Sequence, residues 1–72
     1  PGARRAEFLE PLIGMLVEDD WWVLGSVIPA IGNFGPEASR AIPALTPFLE
    51  HDTDLIRERT REALDKISEG EK

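Results

Sequence analysis

The chain has 72 residues, no cysteine, a single histidine and a formal net charge of −6. A chain of this length forms one small domain, and its composition excludes a disulfide framework and any metal site built from several cysteines and histidines. The negative charge repels phosphate backbones, so we expect no nucleic-acid partner.

The first two predicted helices differ in how much of their surface is apolar. The first covers about residues 4–17 and is interrupted by Pro11 and Gly14. The second covers about residues 20–33 and is apolar on almost every side, which predicts burial on more than one side. Pro29 should bend this second helix, because its ring removes a backbone N–H donor.

The last two predicted helices differ in regularity. The third follows the turn at residues 35–38 and continues to about residue 50 as a bent or stepwise helix, because Pro43 and Pro47 lie inside it. The fourth covers residues 54–68, and Asp52 or Thr53 is expected to cap its start. Its apolar positions recur at helical spacing and form one stripe, which comprises Ile56, Thr60, Ala63, Leu64 and Ile67.

A shift of 33 residues aligns the chain with itself. The shift superimposes identical or similar apolar residues, such as Leu12 on Leu45, Leu16 on Leu49, Val23 on Ile56 and Ala30 on Ala63. A helical pattern repeated at this period is typical of helical repeat proteins. We therefore predict an all-α superhelix fragment of four helices in two antiparallel hairpins, residues 1–34 and 35–68, followed by a polar tail at 69–72. The charged outer side of the fourth helix predicts a capping repeat at the natural C-terminal end of the array.

The second unit resembles the HEAT-like repeats of the phycobilisome-lyase type. The resemblance is carried by Gly35-Pro36-Glu37-Ala38, Ala41-Ile42-Pro43-Ala44-Leu45, Leu49, Asp52, Ile56-Arg57, Ala63-Leu64 and Ile67. It implies an α-solenoid whose second helices line the inner surface and whose role is to bind another protein or a peptide. It also implies that Arg57 pairs with acidic loop residues. The first unit has Leu24 at the position of Arg57, so a polar ladder between the units is not expected.

Trp21, Leu24 and Ile28 are the candidate partner-binding residues. They follow one another at helical spacing in the second helix, and the 33-residue shift places them where the other unit has charged side chains. Tryptophan is enriched at binding hot spots, so this stripe predicts a surface covered by self-association, by another protein or peptide, or by a preceding repeat. The alternative is that Trp21 folds over the end of its own helix. Trp22 aligns with Leu55 and is expected to pack within the hairpin.

The remaining polar clusters do not predict chemistry. His51 lies in a loop beside two aspartates, but a metal site needs three or more converging ligands. The acidic loop at residues 18–20 lacks calcium-loop spacing, so we expect it to cap the following helix. The serines lack the sequence context of a nucleophile. We therefore predict no catalytic residue, no cofactor and no metal.

These features together predict a non-catalytic protein–protein interaction or scaffold module. The alternative is a regulatory or substrate-holding domain of an enzyme such as a bilin-lyase-type subunit. No apolar run approaches the roughly 20 residues of a membrane span, so we expect a cytoplasmic protein with no membrane partner. The chain starts with Pro1, which we interpret as a processed start or as a piece of a longer protein.

Overall fold

Every regular element of the described chain is helical. The computed structural model describes the backbone of residues 2–18 and 20–69 and the side chains of residues 7–18 and 20–68. Helix α1 (Gly2–Gly14) continues into a 3-10 turn at Met15–Val17, and α2 spans Trp21–Gly32. No strand occurs within these ranges, so the predicted all-α class is confirmed.

The third helical segment is a succession of short pieces. It consists of a 3-10 stretch at Gly35–Ala41, helix α3 at Ile42–Leu45 and a second 3-10 stretch at Thr46–Glu50. Each piece has a proline at its first or second position. Proline lacks the N–H that a continuous α-helix needs, and it disfavours the α conformation in the residue before it. The predicted stepwise helix is therefore confirmed.

Helix α4 (Asp54–Glu69) is the longest regular element and begins where the sequence pattern predicted. Its buried side chains are those of the predicted stripe at Ile56, Thr60, Ala63 and Ile67. The Thr60 hydroxyl donates a hydrogen bond of 2.8 Å to the Ile56 carbonyl, so this buried polar group is satisfied within the helix. Gly70, which follows the helix in the sequence, lies outside the described residues.

The core lies around α2, which contacts α1 on one side and α4 on another. This arrangement agrees with the prediction that α2 is buried on more than one side. The buried apolar side chains come from all four helical segments: Leu9, Leu16, Leu24, Val27, Ile28, Ile31, Ala38, Ala41, Leu45, Ile56, Ala63 and Ile67.

Helices α2 and α4 run side by side in the same direction. A β-carbon at Gly25 would lie 3.9 Å from Leu55 Cδ2, and one at Gly32 would lie 2.8 Å from Ala63 Cα. One turn further on, Lys66 Nζ donates a hydrogen bond of 3.2 Å to Asn33 Oδ1, and these two residues are 33 positions apart. The residues that meet between the two helices are 30 to 33 positions apart, so α2 and α4 are parallel and nearly in the register of the repeat.

Candidate interaction surface

The structure separates the three residues of the predicted stripe: Trp21 is exposed, whereas Leu24 and Ile28 lie in the core. Leu24 and Ile28 are fully buried, so the prediction that they line an exposed partner-binding surface is wrong. Gly25 and Gly32 lie on the same part of the helix and contact α4. Leu24 and Ile28 are apolar because this part of α2 packs against the second unit.

The charged counterparts of the stripe have no such cover. Asp54, Arg57 and Arg61 occupy the corresponding positions of α4, and all three retain solvent exposure. Arg57 pairs with Asp54 and donates a second hydrogen bond to the carbonyl of His51. The difference between the two units therefore follows from their positions, because within the described residues only the first has another unit packed on this side.

The two tryptophans are both largely exposed at the start of α2. Trp21 is 56% exposed and Trp22 is 63% exposed. Gly25 lies beside Leu55 and Ile56, so Trp21, one turn earlier, extends past the first residue of α4. The expected packing of Trp22 within the hairpin is wrong. Its counterpart Leu55 reaches towards α2 of the preceding unit, whereas no described unit precedes Trp22.

Trp22 belongs to a larger apolar surface, which we call the N-terminal face and define by Phe8, Met15 and Trp22. Phe8 is 66% exposed and Met15 is 44% exposed. Phe8 and Met15 are seven residues apart, or about two helical turns, and so lie on one side of the first helical segment. The 33-residue shift relates the three residues to Ala41, which is buried, to Phe48, which packs against the core, and to Leu55, which lies beside Gly25 of α2.

Sequence reasoning missed Phe8 and Met15, although the signal was present. In the alignment of the two units, Phe8 stands at the position of Ala41, which is fully buried. A large apolar residue at a position that is buried in the other unit indicates either a core residue or a docking surface. The structure leaves Phe8 outside the core.

The opposite side of the molecule, the C-terminal face, is charged. We define it by the residues of α4 that correspond to the covered face of α2: Asp54, Arg57, Glu58, Arg61 and Asp65. Four of these five residues are exposed, and Arg57 is half-buried. The two ends of the stacked units therefore differ in chemistry, one being apolar and the other covered by mixed charges.

The loop that contains His51 is held by local contacts. His51 Nδ1 accepts a hydrogen bond of 3.0 Å from the Thr53 backbone N–H, and its ring lies 6.1 Å from that of Phe48. The carbonyl of Thr53 accepts a bond of 3.2 Å from the N–H of Arg57, which closes the first turn of α4. These contacts give His51 a structural role in joining the third segment to α4.

The acidic loop before α2 does not cap that helix through the one carboxylate that is placed to do so. Asp20 occupies the N-cap position but makes no side-chain cap hydrogen bond. Asp19 lies outside the described residues. The expected capping by this loop is therefore wrong for Asp20, whose backbone carbonyl instead accepts the first helical bond, from Leu24, at 3.0 Å.

The described residues hold no enclosed site for a small molecule. They form no pocket, and no three His, Cys, Asp or Glu side chains among them are grouped so that they could hold a metal ion. Within residues 2–18 and 20–69, no helix is both long enough and apolar enough to cross a bilayer. Among the described residues, the exposed aromatic side chains are those of Phe8, Trp21 and Trp22, and two of the three belong to the N-terminal face.

Comparison with known proteins yields no relative. No family model, no curated protein and no solved structure matches the chain.

Proposed function

We propose that this chain is a non-catalytic protein–protein interaction module built from two HEAT-like repeats that stack as in an α-solenoid. The proposal is supported by the parallel contacts between α2 and α4, whose partners are separated by about one repeat length. It is also supported by the sequence pattern of the second unit. A cytoplasmic location fits a chain without cysteine, since small extracellular domains usually depend on disulfides.

The observation that carries the proposal is the exposed N-terminal face. Phe8, Met15 and Trp22 are large apolar side chains of the first unit that the fold leaves in solvent. Fully burying a side chain of this size stabilises a complex by about 1.5–3 kcal/mol. Contiguous apolar surfaces on small proteins mark interaction sites, and tryptophan is among the residues most enriched at binding hot spots.

The test is a charge substitution on the N-terminal face with a matched control on the C-terminal side of the molecule. The test variant carries Phe8→Lys and Trp22→Lys, and the control carries Glu58→Gln and Glu62→Gln. Both change the net charge by two positive units and lie at exposed helical positions. Circular dichroism and thermal unfolding should show that both variants keep the helical fold.

Proteins that bind the unsubstituted chain are first identified by mass spectrometry and purified. Each is then titrated by calorimetry against the unsubstituted chain, the test variant and the control. We expect the test variant to lose at least about tenfold in affinity, which corresponds to about 1.4 kcal/mol, while the control binds as the original does. A folded test variant that binds every purified partner with unchanged affinity contradicts the proposed function.

A further inference from the structure

The contact between the two units has three defining positions. Gly32 of the first unit lies against Ala63, with so little space that an added β-carbon would lie 2.9 Å from the Ala63 β-carbon. Gly25 lies against Leu55 and Ile56. Arg40 pairs with Glu10 across the same junction. A helical pair packed here must therefore offer small residues to α4 and an acidic side chain to Arg40.

The N-terminal face of the first unit has residues that correspond to the second unit's side of this contact. Moving back by one repeat relates Ala63 to Ala30, Leu55 to Trp22 and Ile56 to Val23. Ala30 and Val23 are only half-buried, whereas Ala63 and Ile56 are almost fully buried. The small residue and its larger apolar neighbours are present, and they remain partly open to solvent.

The charged residue at this contact has opposite signs in the two units. Arg40 of the second unit corresponds to Glu7 of the first, and Glu7 is exposed. The residue that meets Glu7 in an equivalent contact should therefore be basic, whereas Arg40 meets the acidic Glu10.

A second copy of this chain does not supply the complementary half. The C-terminal face has Asp65 at the position of Gly32 and Glu58 at the position of Gly25. Because even a single β-carbon at Gly32 comes within 2.8 Å of the facing helix, an aspartate there prevents the close approach. Pro43 stands at the position of Glu10 and offers no charge to Glu7.

We propose that the N-terminal face docks a helical pair of one chemical type: its second helix runs parallel to α2 with a glycine opposite Ala30, and its first helix places a lysine or arginine opposite Glu7. This inference rests on the proposed function and specifies its partner. The second helix of the bound pair has the pattern of α2, and it contacts Trp22 and Val23 as α2 contacts Leu55 and Ile56.

The test places such a helical pair beside the intact chain. A copy of residues 2–34 is added directly before Gly2, so that the added unit keeps the repeat register, and it carries Glu10→Lys to meet Glu7 of the original unit. The chain has no cysteine, so Val23→Cys in the original unit provides a unique thiol on the docking surface. A matched control has Gly32→Asp in the added unit only, which copies Asp65.

We expect the added unit to slow labelling of the Val23→Cys thiol by about tenfold or more relative to the 72-residue chain carrying the same thiol, because a closed interface reacts only when it opens. The Gly32→Asp control should leave the labelling rate near that of the shorter chain. Circular dichroism establishes that the proteins are folded. Equal labelling of all three proteins overturns the proposal, and so does equal protection by the glycine and aspartate units.

A second copy is distinguished by solution mass. A different outcome is that the 72-residue chain carrying the Val23→Cys thiol sediments as a dimer whose thiol is already labelled slowly. In that case another copy of the chain occupies the N-terminal face, and the proposed helix type is wrong. The two proposals also fail separately. Loss of protection here, with partner binding still abolished by Phe8→Lys and Trp22→Lys, removes this inference and leaves the interaction function standing. If instead the added unit protects the thiol but no partner depends on the N-terminal face, the proposed interaction function is removed and the proposed helix type stands.

Discussion

The close contact at Gly32 predicts that Gly32→Ala lowers the stability of the protein. In an exposed helix, replacing glycine with alanine stabilises the protein, because alanine has the higher helix propensity by about 1 kcal/mol. At Gly32 the new methyl group would lie 2.8 Å from Ala63 Cα and 2.9 Å from Ala63 Cβ. The first of these atoms is backbone, so no side-chain rotation relieves the overlap. The two helices must separate instead.

The two effects oppose each other, and the overlap should dominate. Overpacking of a core by one methyl group costs about 1–3 kcal/mol, and the upper part of that range applies where the neighbour is backbone. After the propensity gain is subtracted, Gly32→Ala should lower the free energy of unfolding by about 1–2 kcal/mol. For a domain of this size each 1 kcal/mol shifts the melting temperature by about 4–8 °C.

Two other glycines provide matched controls. A β-carbon at Gly14 would meet nothing within 4 Å, and one at Gly25 would make ordinary contacts of 3.9 and 4.0 Å. Gly14→Ala and Gly25→Ala should each raise stability by about 0.5–1 kcal/mol. Thermal unfolding followed by circular dichroism measures all three variants. If Gly32→Ala raises the melting temperature as the controls do, the close packing of α2 on α4 is wrong.

Three further predictions follow from single contacts, each measured by chemical denaturation. Gly35 has a φ of 66°, which alanine adopts only with backbone strain, so Gly35→Ala should lower the free energy of unfolding by about 1–2 kcal/mol. Gly35→Asn should lower it less, and equal losses would contradict this reasoning. Thr60→Val should leave the free energy of unfolding unchanged or raise it by up to about 1 kcal/mol, since the Ile56 carbonyl keeps its helical N–H partner. A clear loss of stability would give the hydroxyl a role that its one hydrogen bond does not explain. A double-mutant cycle of Glu10→Gln and Arg40→Gln should show a coupling of no more than about 1 kcal/mol, because both side chains are more than half exposed; a coupling above about 2 kcal/mol would mean that the pair is shielded from solvent.

The helices themselves were predictable from the sequence. The spacing from Ile56 to Ile67 predicted the start of α4 correctly and its end to within one residue. The prolines of the third segment predicted its division into short pieces. In both cases the determinant is local: an apolar stripe at helical spacing, or a missing backbone donor.

The partner of each apolar stripe was not predictable in the same way. A pattern identifies an apolar side of a helix but not the neighbour that covers it. The 33-residue shift relates Leu24 and Ile28 to Arg57 and Arg61, but it does not specify which neighbours surround each pair. In the structure the first unit has a following neighbour and the second has none among the described residues, so the same positions are buried in one and retain solvent exposure in the other.

The same lack of equivalence explains why association through the N-terminal face should stop after one step. An interface between two different faces of identical chains adds copies without limit unless it closes into a ring. Growth of that kind would require the C-terminal face of one copy to fit the N-terminal face of the next, and Asp65 stands where the fit needs glycine. The contrast between the two faces therefore favours binding of a single different helical partner over assembly into fibres.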